Sequence, residues 1–386
     1  MNDATNRMTG SVPLQRPYLP QRALRNFADT LESGWWGYGP KTQEFERRFA
    51  ALVGTRFAVA VSSASAGQDL VLKALGHKQG NVVSPTISFA TTASVPLWNG
   101  LENRLVDVVA HNLTIDPQDC VDHVDDQTRA VICVHLAGSL ADVASIKGST
   151  GAFIVEDCAH LVPSQGYRQI GEVAVWSFQA TKIISCGDGG MITLNDEDLF
   201  AKLRSLSWFG IPSTLDRVGT SSSSPHSYSW DYEISNLGYK AYMNDLTATL
   251  GMAQLDDLDR HLSSRMELAE RYDFALPKTV QRPAESLTYQ YYVTRVPAAR
   301  RDQLIAFLGR NGIHAGVHYK PLHLHPIFRA ERPFPVADQE WKRIVSLPMF
   351  GQLRYAEQDE VIRNINAFFP SEAPKDRSEL PLPPEG

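Results

Sequence analysis

Hydrophobic positions recur along this chain in two periods, and the switch between them marks out the elements. Leu24, Phe27, Ala28 and Leu31 repeat at helical spacing until Gly34 stops the run. Phe45, Phe49, Ala50 and Leu52 mark a second amphipathic helix that ends before Gly54. Trp35-Trp36-Gly37-Tyr38-Gly39-Pro40, between them, reads as a turn-rich aromatic loop. From residue 57 short apolar runs of strand length alternate with helical segments. Strands are expected at 57–61, 81–84, 104–108, 130–135, 153–155, 173–178 and 191–194, with helix at 70–75 and 93–97. That alternation predicts an α/β fold, with a mostly parallel sheet covered by helices on both faces. The last two strands, joined by a Gly-rich link, predict a mixed edge.

Residues 245–258 read as one helix with Leu246, Leu250, Ala253 and Leu258 on a single face. A second pattern then begins: strand at 289–296, helix at 302–310, strand at 316–319 and helix at 359–368. The change predicts an N-terminal arm over 1–19, a large domain over 20–255, a smaller C-terminal α+β domain over 256–370 and a disordered Pro- and Glu-rich tail over 371–386. The Ser-rich segment 219–227 reads as a mobile loop, and no internal repeat is visible.

Composition narrows the classes. The 386 residues are 43% hydrophobic and 21% charged, as in an ordinary globular protein. With 43 Asp and Glu against 37 Lys and Arg the formal net charge is −6, which gives no footprint for nucleic acid or an anionic membrane. Cys120, Cys133, Cys158 and Cys186 are widely spaced, without C-x-x-C or a Cys/His cluster, so neither a disulfide framework nor a metal site is expected. No stretch approaches the roughly 18 apolar residues of a membrane span. The first twenty residues lack a signal-peptide core, and a cytoplasmic protein is expected.

Three features carry candidate chemistry. Asp157, in Glu156-Asp157-Cys158-Ala159-His160, follows an apolar strand, so it falls at the C-terminal edge of the sheet where α/β proteins bind ligands. For a lone aspartate, capping of the next turn is the commoner role. Lys182, in Ser177-Phe178-Gln179-Ala180-Thr181-Lys182, lies among small and apolar residues just before Gly187-Asp188-Gly189-Gly190. Such surroundings lower an amine's pKa, as imine chemistry requires, although most lysines are simply solvated. Ser62-Ser63-Ala64-Ser65-Ala66-Gly67 leads from a strand into a helix, where free N–H groups suit a phosphate or where Ser63 or Ser65 merely caps. Together, an anion cradle, an aspartate and a lysine twenty-five residues beyond it match the needs of pyridoxal phosphate: a seat for the phosphate, a carboxylate for the ring nitrogen and an amine for the aldehyde.

At these positions the sequence resembles the DegT-like sugar aminotransferases, pyridoxal-phosphate enzymes of the aspartate-aminotransferase fold (fold type I). Seven segments fall in order between residues 20 and 369. Trp36-Gly37-Tyr38-Gly39-Pro40 with Glu44-Phe45-Glu46 is similar to the family's G-P…E-F-E opening. Ala64-Ser65 stands where the family has Gly-Thr, and Pro85-Thr86-Ile87-Ser88-Phe89-Ala90-Thr91 resembles P-x-x-x-F-x-A-T. Asp157-Cys158-Ala159-His160 takes the place of D-A-A-Q, and Ser177 to Lys182 with Gly187-Asp188-Gly189-Gly190-Met191 that of S-F-x-x-x-K…G-E-G-G-M. Gly238-Tyr239-Lys240-Ala241-Tyr242-Met243-Asn244-Asp245 and His318-Tyr319-Lys320-Pro321-Leu322-His323 are similar to G-Y-[NK]-x-x-M-x-D/E and H-Y-x-P-L-H.

The resemblance implies a large cofactor domain with a mostly parallel mixed sheet and a small α+β domain. It implies Lys182 as the Schiff-base lysine and proton shuttle, Asp157 on the ring nitrogen, Phe89 stacked on the ring, and Ala64, Ser65 and Ser177 on the phosphate. Lys240 would reach the phosphate of the other subunit in a homodimer with shared sites. His160 would lie near the ring oxygen, where its titration is expected to add a pH dependence. Tyr38, His318, Tyr319 and His323 are the expected substrate contacts.

The expected reaction is amination of a keto group on a sugar nucleotide, or on a related cyclitol or ketose, with glutamate or glutamine as donor in a ping-pong cycle. Family dehydratases of deoxysugars carry His in place of the lysine, which Lys182 argues against. An aminohydroxybenzoate-type dehydratase or aromatising enzyme keeps the lysine and stays open, as does a non-catalytic regulatory homologue. A nicotinamide oxidoreductase is disfavoured because no G-x-G-x-x-G follows a strand.

Overall fold

The computed structural model describes residues 10–211, 233–283 and 286–370. The first nine residues of the expected arm, the 219–227 loop and the tail lie outside the described residues.

Seven strands form the main sheet: β1 (Phe57–Val61), β2 (Asn81–Pro85), β3 (Glu102–Val106), β4 (Thr128–Val134), β5 (Ile154–Asp157), β6 (Val173–Ser177) and β7 (Gly190–Leu194). Their order is β1-β7-β6-β5-β4-β2-β3. Only β7 runs against its neighbours, β1 and β6, so the antiparallel strand lies one place inside the expected mixed edge and β1 forms the border. Apart from the border strand β3, whose first three residues are partly exposed, the strands are buried along almost their whole length, because helices cover both faces. One face packs into a cluster with Leu70, Val71 and Ala74 of α3 (Ala64–Leu75), the other with Phe45 and Phe49 of α2 (Pro40–Val53).

Two buried acids fasten the amino-terminal segments to this sheet. Asp245 accepts hydrogen bonds from the N–H groups of Gly39, Lys41 and Thr42 and from the Thr42 hydroxyl, satisfying the free donors at the start of α2. Glu46 accepts from both Arg204 terminal nitrogens at 2.8 Å, from the Tyr38 hydroxyl and from the Ala60 N–H. The segments around Gly39-Pro40, Glu46 and Asp245 are therefore joined to one another by buried hydrogen bonds.

The expected helix over 245–258 is two helices, α8 (Asp245–Leu255) and α9 (Leu258–Ala275). The chain turns at Asp256-Asp257, whose carboxylates pair with Arg22 of α1 (Gln21–Glu32) and Arg48 of α2. Leu246 and Leu250 are only half-buried, and α8 presents Ala248, Ala253 and Leu255 inward. Periodicity had given no sign of the 18-residue α9, which carries Leu268, Ala269 and Tyr272 into a second core.

That core surrounds an antiparallel pair, β8 (Tyr292–Arg295) and β9 (Ile344–Leu347), backed by α10 (Ala298–Arg310) and α12 (Tyr355–Phe368). The expected strand at 316–319 reduces to one bridge from Gly316 to Ser346 of β9, beyond which the segment turns toward the main sheet, with Tyr319 against Phe89 and His160. Residues 10–19 are irregular but anchored, with Val12 bridged to Ile313 and the Tyr18 hydroxyl on Asp257. Among the described residues no helix is long and apolar enough to cross a membrane.

Candidate active site

The parallel registers set the ends of β4, β5 and β6 side by side, with Val134 opposite Asp157 and Asp157 opposite Val175. The N-terminus of α3 descends onto this edge next to Gly190. A Cβ at Gly190 would lie 2.7 Å from the Ala64 nitrogen and 2.8 Å from the Trp176 carbonyl oxygen, so only glycine allows the approach.

Ser63 is the residue that caps α3, its hydroxyl accepting from the Ala66 N–H at 3.1 Å. Among the described residues the N–H groups of Ala64 and Ser65 have no acceptor, and they lie at the positive end of a twelve-residue helix. The Ser65 hydroxyl lies 2.7 Å from the Thr91 hydroxyl, and Ser177 stands at the end of β6, opposite Gly190. These are donors fit for a phosphate.

Asp157 closes β5 with its carboxylate buried. Oδ1 accepts from the Ala159 N–H at 2.9 Å and Oδ2 from the Gln68 side-chain amide at 2.8 Å, leaving each oxygen a further accepting direction. Burial raises its pKa, against the lowering effect of those two donors and of the Lys182 charge.

Lys182 sits on the turn from Phe178 to Gly187. The turn is pinned by backbone bonds from Ala180 to Gly187 and from Cys186 to Phe178, and by Ile183 and Ile184 packed into the core. Gln290 donates to the Thr181 carbonyl at 2.9 Å and holds the turn from the other side. Among the described residues the Lys182 amine has neither a hydrogen bond nor an ion pair. Burial lowers its pKa to about 8, with the Asp157 charge opposing. An amine poised near neutrality, an unsaturated buried carboxylate and free helix-end donors together fit a phosphorylated pyridine aldehyde.

His160 and Tyr319 form the next layer. His160 Nδ1 accepts from the Ala137 N–H at 3.2 Å, which puts the ring proton on Nε2, 3.0 Å from the Tyr319 hydroxyl. Burial drives its pKa well down, helped by Lys182 and His318. That lowering runs against the pH dependence expected from His160, and both of its nitrogens are committed to the protein. His318 stacks on Tyr291 with ring centroids 3.8 Å apart and bonds Ser346. Burial and then the Lys182 charge lower its pKa to about 4. Phe89, 60% exposed, presents a free ring face and lies 5.9 Å from the Tyr319 ring.

The remaining expected residues lie apart from this cluster or are already engaged. His323 is bound on both nitrogens, by the Thr86 hydroxyl and the Asp338 carboxylate, and stacks on Phe334. The Tyr38 hydroxyl is taken by Glu46, and its ring lies under Arg204. Lys240 is exposed, over the rings of Trp208 and Tyr242, near the outward-facing Ile234 and Leu237. Sequence reasoning missed Gln68, although a polar residue sharing the buried face of α3 with Leu72 was a readable signal.

The chain matches the model of the DegT/DnrJ/EryC1/StrS aminotransferase family over residues 17–366. It is 33% identical over 379 residues to the spore coat polysaccharide biosynthesis protein SpsC of Bacillus subtilis (strain 168), covering 92% of this chain and 96% of that protein. Among solved structures it is similar to the aminotransferase TlmJ of Streptoalloteichus hindustanus, with TM-score 0.86 and 30% identity, covering 94% of this chain and 99% of the other. It is also similar to the PLP form of the putative sugar aminotransferase Spr1654 of Streptococcus pneumoniae, with TM-score 0.84 and 27% identity over 93% and 98% of the two chains.

Proposed function

We propose, for a chain that belongs to the DegT/DnrJ/EryC1/StrS aminotransferase family, that it carries an amino group from glutamate or glutamine to a keto group of a sugar nucleotide, or of a related cyclitol or ketose, by a ping-pong cycle. The chain is a pyridoxal-phosphate-dependent aminotransferase of fold type I. The sugar reading is supported by relatives named for polysaccharide biosynthesis and as a putative sugar aminotransferase.

The observation that carries the site reading is the buried, unpaired Lys182 amine within electrostatic reach of the buried Asp157 carboxylate, in a chain that also leaves N–H groups free at the start of α3. Bound there, pyridoxal phosphate supplies an aldehyde that takes up amines and a ring that draws electrons away from the reacting carbon. Ala64 and Ser65, through their N–H groups, and Ser177, through its hydroxyl, hold the phosphate. Asp157 keeps the proton on the ring nitrogen, and Phe89 covers the ring face. The Lys182 amine would be the group that takes up and returns the donor's Cα proton, a task suited to a base with pKa near neutrality.

Lys240 acts on the phosphate of a partner subunit in a homodimer. The support is its exposure beside Ile234 and Leu237, together with the outward apolar face of α1 (Leu24, Phe27 and Leu31), which a monomer would leave in water.

The two half-reactions test the reading separately. Holoenzyme mixed with glutamate or glutamine should lose its visible absorbance and release the matching keto acid. A keto-sugar nucleotide or inosose should then restore the absorbance and appear as the amine. Absorbance that no amino acid removes would refute transamination and favour the lysine-retaining dehydratase.

A further inference from the structure

Gln68 is buried to 2% exposure on the sheet-facing side of α3, one turn beyond the N–H groups assigned to the phosphate. Its amide nitrogen donates to Asp157 Oδ2 at 2.8 Å, while its carbonyl oxygen is buried without a partner. Leaving a carbonyl orphaned is unfavourable for stability, so the side chain is poorly explained as a structural bond. The reversed amide would oppose two acceptors, which fixes the orientation as donor to Asp157.

We propose that Gln68 is a positioning residue for Asp157, holding its carboxylate in line with the cofactor's ring nitrogen. The proposal rests on the assignment of Asp157 made above. One helix then governs both ends of the cofactor, its first turn the phosphate and its second turn the carboxylate that faces the ring. Ala159 fixes the other oxygen, so Asp157 is clamped from two sides and neither donor carries a charge. The titratable groups around it are Lys182 on the 178–187 turn, His135 at the end of β4, Tyr319 and Cys158. Glu156, its neighbour along β5, is engaged by His135, Tyr167 and the N–H groups of Ile170 and Gly171.

A donor on a carboxylate favours its ionised form. Without Gln68 the carboxylate becomes more basic and less fixed, the ring nitrogen loses part of its proton, and the ring loses positive charge. The protonated form of the nitrogen joining Lys182 to the ring is then favoured, so the pH midpoint of the holoenzyme's visible absorbance rises.

Gln68→Met keeps the volume, removes the donor and relieves the orphaned carbonyl; Gln68→Leu serves if the first variant does not fold. The expected result is a midpoint about one pH unit higher and cofactor binding about tenfold weaker, the size of one charge-assisted hydrogen bond, with thermal unfolding of the apoprotein not lowered. Asp157→Asn should move the midpoint further the same way, and adding Gln68→Met to it should move it no more. If Asp157→Asn shifts the midpoint and both Gln68 variants leave it in place, the proposal for Gln68 is overturned while Asp157 keeps its role. If Asp157→Asn leaves the midpoint unmoved, the assignment of Asp157 fails and the proposal falls with it.

Discussion

Capture of the cofactor by Lys182 needs a neutral amine, so its dependence on pH reads out how deeply the lysine is buried. The ordinary lysine value is 10.5, and burial brings Lys182 to about 8 even though the Asp157 charge pulls it up. At pH 7 an amine of pKa 8 is about one-tenth neutral and one of pKa 10.5 only about 0.03%, so burial makes the reactive form about 300-fold more abundant. The rate of cofactor uptake by apoenzyme, followed by stopped-flow absorbance between pH 6 and 10, should rise about tenfold per pH unit and bend to a plateau near pH 8. Removing the opposing charge with Asp157→Asn should move the bend to lower pH, because only the burial effect is left. A rate that climbs without a bend through pH 10 would mean a solvated lysine, and the reasoning from burial would be wrong.

Two further outcomes follow from the fold and the proposed assembly. Arg204→Met should cost about 3–5 kcal/mol in urea unfolding, since it strands the buried Glu46, and a loss below about 1 kcal/mol would mark the pair as a weak surface contact. If Lys240 serves the partner's site, Lys182→Ala and Lys240→Ala, each inactive alone, should regain about a quarter of wild-type activity when unfolded and refolded together, because half the dimers then hold one intact site; no recovery would argue that each chain keeps its own site.

The main sheet was legible because its strands are short, apolar and bounded by turns: 57–61 matches β1, and 81–84 and 191–194 fall within one residue of β2 and β7. The helix at 245–258 divides in two although the leucines continue its period across Asp256-Asp257, whose carboxylates pair with Arg22 and Arg48, distant in sequence. The strand at 316–319 was misread for a similar reason. Gly316–Tyr319 has strand-like residues, but only Gly316 pairs, with Ser346 of β9, while Tyr319 is drawn to His160 and Phe89, which are distant in sequence.

At the site, the Asp157 and Lys182 segments were visible as types of residue at the ends of strands. The fixed tautomer of His160 was not, because it depends on the Ala137 N–H, twenty-three residues away. Similarly, His323 and Tyr38, expected as substrate contacts, are held by Asp338, Thr86 and Glu46, partners that their own segments do not show. Motifs carry chemistry and packing in the same letters, and only the partners across space separate the two.

Borohydride reduction of the holoenzyme followed by peptide mapping tests the central assignment most directly. Reduction should fix the cofactor's mass on the peptide that contains Lys182 and on no other, and the label should be absent from Lys182→Ala. A label on Lys240, Lys320 or another lysine, or none in protein that binds pyridoxal phosphate, would contradict the assignment of Lys182 as the reacting amine.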